Sequence, residues 1–199
     1  MKRNSRKTAL ALAIIPLVMF AGLGWWRWHS SLPREFAAVV PGVLYRSGQG
    51  NAMQFRNAID REQIKTIVCL RQIEPQSAQE WLNAERAVAN ERHVTFVHWP
   101  TLSGEPVAEK SILQFLKMTQ DRSRTPLWVH CGLGRHRTGF LAAVYRRVID
   151  DWPLEKALKE MESFGFDLTT HGKLVAALRE LDVVRLRAKL KGVQTQPTL

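Results

Sequence analysis

The chain has 199 residues, 45% of them hydrophobic and 24% charged, a composition that can bury one core and excludes a disordered or low-complexity protein. Its net charge of +11 is uneven, because five cations and no acid fall in the first 31 residues, leaving 24 cations against 18 acids in the remainder. Two cysteines, Cys69 and Cys131, exclude a disulfide scaffold, and no zinc-finger spacing or recognition motif points to nucleic acid.

Lys2, Arg3, Arg6 and Lys7 precede an uncharged run from Thr8 to Trp26. As a helix those nineteen residues reach roughly 28 Å, close to the hydrocarbon thickness of a bilayer. Trp25, Trp26 and Trp28 then stand where an interfacial aromatic belt would lie. We read residues 1–28 as a single-pass membrane anchor, with a cleavable signal peptide as the competing reading. The leading cations predict a cytoplasmic N-terminus and a periplasmic domain at a bacterial inner membrane. The moderate positive excess beyond the anchor suits an anionic substrate or membrane surface, and equally an ordinary solvated surface.

Residues 29–42, broken by Pro33, Pro41 and Gly42, read as a linker, with a domain over 43–190 and a tail over 191–199. Val43–Tyr45 predicts a short strand, Asn51–Gln63 a helix and Ile64–Leu70 a buried β-branched strand. A helix follows over Ser77–Arg92, with Ser77 and Glu80 at capping-box spacing, then a strand over Val94–His98. Pro106–Asp121 reads as helix and Pro126–His130 as strand. Three further helices are expected at Arg137–Asp150, Pro153–Phe164 and Thr170–Lys189. Strands alternating with helices predict an α/β domain whose central, mainly parallel sheet is flanked by helices. Such sheets bind ligands beyond the carboxyl ends of their strands, which is where Cys131 falls.

The segment from Val129 to Gly139 carries the chemistry. A thiolate is the useful nucleophile, and an ordinary thiol with a pKa near ~8.5 is mostly protonated at neutral pH. A strand-to-helix turn corrects this, since backbone N–H groups and a helix N-terminus favour negative charge at one spot. Gly132, Leu133, Gly134, Arg135 and His136 form the expected phosphate-binding turn, its two glycines removing side chains so that the backbone can close around an anion. Arg137, at Cys-x5-Arg spacing, can hold two phosphoryl oxygens bidentately, and the Thr138 hydroxyl can steady the sulfur.

At His130, Cys131, Gly134, Arg137, Thr138 and Gly139 the sequence resembles the compact dual-specificity class of cysteine-based protein tyrosine phosphatases, His-Cys-x-x-Gly-x-x-Arg-[Ser/Thr]-Gly. The likeness extends to Leu44–Gln49, Ile64–Arg71 and Met161–Phe166, covering about residues 43–185. It implies phosphomonoester hydrolysis through a phosphocysteine, no metal or other cofactor, and a phosphorylated protein or other phosphomonoester as substrate. The chain also resembles periplasmic bacterial members that act on phosphorylated membrane proteins. That family protonates the leaving oxygen with an Asp about thirty residues before the cysteine. Here Trp99–Pro106 has no Asp, and Glu105 is the one carboxylate on that loop. Glu105 is therefore the expected general acid, although acids are favoured ahead of a Pro-initiated helix in any case.

Three alternatives stay open. Relatives with a Gly-Lys-His-Arg-Thr-Gly run act on highly phosphorylated inositols, so Arg135 and His136 admit a phosphoinositide or inositol-polyphosphate substrate. A poorly placed Glu105 would leave a phosphate-binding pseudophosphatase. A rhodanese-type sulfur-transfer loop is disfavoured by Arg137-Thr138-Gly139 entering a helix directly. Cys69 reads either as a small core residue or, as in some lipid-acting relatives, as a disulfide partner for Cys131. Arg46 reads either as a contact to the sheet edge or the phosphate or, the preferred reading, as a surface salt-bridge residue, and His93, His98 and His171 lack metal-ligand spacing.

Overall fold

The computed structural model describes residues 31–73 and 78–194. Five strands, β1 (Ala37–Val40), β2 (Leu44–Ser47), β3 (Thr66–Cys69), β4 (Thr95–His98) and β5 (Leu127–His130), form one sheet in the order β1-β2-β5-β3-β4. All pairs are parallel except β1 with β2, so the sheet is mixed at one edge and parallel through its centre. β2, β3 and β5 are buried throughout, and the sequences of β3 and β5 accordingly read as mostly apolar runs, whereas β2 buries Arg46 and Ser47.

Helices α1 (Ala52–Glu62) and α2 (Ala78–Glu91) cover one face. There Phe55 packs on Trp128, ring centroids 4.6 Å apart, and edge-on to His130. Asn51 starts α1 with a capping box, accepting from the Gln54 backbone N–H while the Gln54 side chain accepts from its own. The other face carries α3 (Glu109–Gln120), α4 (Arg137–Val148), α5 (Leu154–Ser163), α6 (Gly172–Arg179) and α7 (Val183–Gln194). Its core joins Leu44, Val68, Leu70 and Val129 to Phe115, Leu116, Phe140 and Leu141. α4 is buried at nearly every position from Arg137 to Val148. A buried α4 fixes the turn that precedes it.

Three details correct the sequence reading. The stretch 29–42 is not all linker, because Ala37–Val40 pairs antiparallel with β2 as an edge strand, bulged between Ala38 and Val40. Pro33 and Pro41 masked a run of only four residues, and proline is tolerated beside an edge strand. The expected helix 170–189 is two helices, α6 and α7, because the Asp182 carboxylate accepts from the Arg185 backbone N–H and starts a new N-terminus. The third helix begins at Glu109 rather than Pro106. The expected anchor and the Ser77 cap lie outside the described residues. Among the described residues no helix is long and apolar enough to cross a membrane.

Candidate active site

β5 is the central strand, and Cys131 follows its last residue at the carboxyl edge of the sheet. The next five residues turn back to the N-terminus of α4, whose cap position His136 supplies no side-chain hydrogen bond. First-turn N–H groups are thus left to face the loop. Gly134 has φ +77°, and a Cβ there would stand 2.5 Å from the Gly48 nitrogen and 2.6 Å from the Ser47 carbonyl carbon. No other residue fits. Gly48 is tight in return, with its added Cβ 2.9 Å from Leu133 backbone, and the Gln49 N–H donates to the Gly132 carbonyl at 2.9 Å. The expected role of Gly132 is different, since a Cβ there would meet nothing nearer than Arg137 Nη2 at 3.9 Å. Close packing of the two loops demands glycine at 134 and 48, and not at 132.

Burial pushes the Cys131 thiol up, but the Thr138 hydroxyl, the Arg137 guanidinium and the backbone N–H groups of Thr138 and Gly134 outweigh it. The thiol is therefore held below its ordinary range, and its thiolate fraction at neutral pH rises. Arg137 donates through Nη1 to the Leu70 carbonyl at 3.1 Å and the Thr101 carbonyl at 2.8 Å. Its Nε is buried without a hydrogen-bond partner, so the Nε–Nη2 edge is left for a phosphoryl group. The same arginine ties the end of β3 and the loop after β4 to the cysteine turn.

For one residue of this site the sequence reading preferred the wrong alternative. Arg46 is buried on β2 rather than exposed, and its Nη2 donates to the Gly134 carbonyl at 2.7 Å. Its guanidinium lies 3.7 Å from the Phe164 ring centroid. Burial lowers its pKa to about 10, against the opposing pull of Glu160, Cys131 and Glu35, so it stays charged at neutral pH. Arg46 pins the loop from beneath. The available signal was its place in a strand beside the cysteine-bearing strand, since every residue of β2 is buried.

The remaining predicted residues divide. Leu133 is 44% exposed on the loop. Arg135 lies against Gly165 and pairs with Glu35 at 3.4 Å. His136 stacks on His171, ring centroids 3.8 Å apart, and burial together with His171, Arg137 and Arg135 depresses its pKa. Glu105 is half-buried and its carboxylate is ion-paired with Lys173. Of the neighbouring acids, Glu109 is engaged by Arg185 and Lys189, and Asp121 by Ser123. His98 donates to the Arg71 carbonyl.

Both cysteines are free. Cys69 is in register with His130 and so shares its sheet face, whereas Cys131 packs into the opposite core with Leu70, Val129 and Phe140. The disulfide reading of Cys69 is replaced by that of a buried thiol beside His130.

A sequence profile of the tyrosine phosphatase family matches residues 32–178, spanning the sheet, the cysteine turn and α4–α6. The chain belongs to the tyrosine phosphatase family. This tyrosine phosphatase is 31% identical over 158 residues to the dual specificity protein phosphatase TpbA of Pseudomonas aeruginosa, covering 78% of this chain and 67% of TpbA. The crystal structure of P. aeruginosa TpbA superposes with a TM-score of 0.62 at 31% identity, over 78% of this chain and 90% of that one. A cysteine-to-serine variant of TpbA in complex with phosphotyrosine gives 0.59 at 30% identity, over 78% and 95%. The core catalytic domain of the PP-IP phosphatase SIW14 from S. cerevisiae shares the fold, with a TM-score of 0.65 at 23% identity over 83% and 96%. Family membership makes the chain a cysteine-dependent phosphatase with an α/β sheet flanked by helices.

Proposed function

We propose that this tyrosine phosphatase dephosphorylates phosphotyrosine in proteins, with dual-specificity reach, through a phosphocysteine on Cys131. The observation that carries the reading is the lowered thiol of Cys131 in a turn whose far end presents the free edge of Arg137. The Cys131 sulfur attacks phosphorus while the bond to the leaving oxygen breaks, and Arg137 with the loop N–H groups takes up the equatorial charge. Water then attacks the phosphocysteine, the sulfur leaves as thiolate, and the Thr138 hydroxyl steadies it. Exposed Leu133 and Leu102, on the turn and on the loop after β4, offer apolar contact to an aromatic ring. The similarity to TpbA, solved with phosphotyrosine, supports the same substrate class. The inositol-polyphosphate alternative asks for free loop cations. His136 is held toward its neutral form, and beyond Arg137 only Arg135, itself paired with Glu35 at 3.4 Å, adds a loop cation, so this alternative ranks second.

Glu105 is the proposed proton donor to the leaving oxygen, drawing its support from its place on the loop that Arg137 holds through Thr101. An exposed ion pair with Lys173 contributes little, so substrate can displace it at small cost. For Glu105→Gln the expected result is a large loss of kcat/KM with alkyl phosphates and a smaller loss with a good aryl leaving group. The contrast follows because a leaving oxygen of low pKa needs less protonation in the transition state. Equal losses on both substrates would remove Glu105 from this role.

The anchor reading of residues 1–28 is proposed alongside, supported by the four leading cations and the uncharged run to Trp26. A C-terminal reporter fusion should then be active only in the periplasmic format. Activity confined to the cytoplasmic format would overturn it.

A further inference from the structure

Behind the active-site turn lies a second cluster that the reaction does not use. Cys69 on β3, Glu85 on α2 and His130 on β5 are all buried, at 0%, 2% and 0% exposure. One donor atom from each, sulfur, oxygen and ring nitrogen, lies within 4.8 Å of the others. The His130 Nε2 and Glu85 Oε2 atoms are 3.4 Å apart as an ion pair. Neither makes a hydrogen bond, and His130 Nδ1 makes none. Glu85 Oε1, by contrast, accepts from the Gln49 side-chain amide. Buried polar atoms are nearly always hydrogen-bonded, so a cluster in which the facing His130 Nε2 and Glu85 Oε2 have only each other, at 3.4 Å and without a hydrogen bond, asks for a reason.

We propose that Cys69, Glu85 and His130 form a buried site for a divalent metal ion of the zinc class. Metal–ligand bonds of about 2.0–2.3 Å put tetrahedral ligand atoms roughly 3.3–3.8 Å apart, so the 3.4 Å between His130 and Glu85 is already ligand spacing. The donor set mixes thiolate, imidazole and carboxylate, which suits Zn²⁺ and not Mg²⁺ or Ca²⁺. With Cys69 as thiolate, Glu85 as carboxylate and His130 neutral, two negative charges meet a divalent cation and the buried charge is neutralised. Gln49, already bonded to Glu85, brings a further buried oxygen, Oε1, that has no hydrogen-bond partner.

Occupancy would reach the reaction by two short links. His130 directly precedes Cys131, and Gln49 donates its backbone N–H to the Gly132 carbonyl. A metal that redraws His130 and Glu85 therefore moves both supports of the cysteine turn, and turnover falls. Activity alone cannot test this, because the Cys131 thiolate is itself a metal ligand.

The test uses the full-length chain carrying Cys131→Ser, in which Cys69 is the only thiol. Titration with Co²⁺, followed in the near-ultraviolet and visible, should give a thiolate-to-cobalt charge-transfer band and tetrahedral ligand-field bands that saturate at one equivalent. Zn²⁺ should bleach them. Glu85→Gln in the same background should weaken Co²⁺ binding at least about 10-fold. Absence of the charge-transfer band at saturating Co²⁺, in protein whose circular dichroism and thermal unfolding match those of the untitrated chain, overturns the proposal. So does a band whose midpoint is unchanged by Glu85→Gln. Neither outcome bears on the phosphatase reaction, which this site does not perform.

Discussion

Cys131→Ser should reduce turnover of any phosphomonoester by about 10⁴-fold or more, with phosphate binding and thermal stability close to those of the parent. The hydroxyl nearly matches the thiol in size and keeps the contact with Thr138, so the loop geometry set by Gly134 and Arg46 survives. It does not ionise near neutral pH, whereas every feature around Cys131 that overcomes burial acts by favouring the anion. Steady-state kinetics on an aryl phosphate, with phosphate affinity measured calorimetrically, checks both halves. Residual activity within tenfold of the parent would place the nucleophile elsewhere.

Arg137→Lys should lower kcat/KM by about 10²–10³-fold, although it conserves charge. The guanidinium does two jobs in the structure. Its Nη1 bridges the Leu70 and Thr101 carbonyls, and its Nε–Nη2 edge is left for the phosphoryl oxygens. A lysine ammonium is a point charge on a flexible stem and cannot do both. Because Thr101 begins the loop that carries Glu105, the lysine variant should also loosen that loop and lose more on alkyl than on aryl phosphates. A loss of only a few-fold on both substrates would show that Arg137 is structural.

Much of this site lay open in the sequence because its chemistry is local. Cys131, Gly134, Arg137 and Thr138 lie within eight residues of one another, and a strand-turn-helix context fixes their relation with little help from elsewhere. The buried strands β3 and β5 were equally legible, since sheet-centre strands carry unbroken apolar runs. What the sequence concealed depends on long-range packing. Arg46 sits 88 residues before the carbonyl that it holds, and an arginine on a short strand reads as surface until its neighbours are known. Glu85 looks like one of several polar residues on α2, and only the parallel register of β3 and β5 brings Cys69 and His130 beside it. The edge strand β1 was hidden by flanking prolines, and the break between α6 and α7 by a capping Asp182 inside a helical pattern. Gly132 and Gly134 look interchangeable in sequence, yet only Gly134 meets backbone within 3 Å.

The most direct test of the catalytic reading is to catch the intermediate. The full-length chain turning over an aryl phosphate is quenched rapidly in denaturant at alkaline pH, digested and analysed by mass spectrometry. A single added phosphoryl group should appear on the peptide that contains Cys131, and no other peptide should carry it during turnover. Sustained phosphate release with Cys131 unmodified at every quench time, or with the phosphoryl group on another side chain, would contradict the assignment of Cys131 as nucleophile.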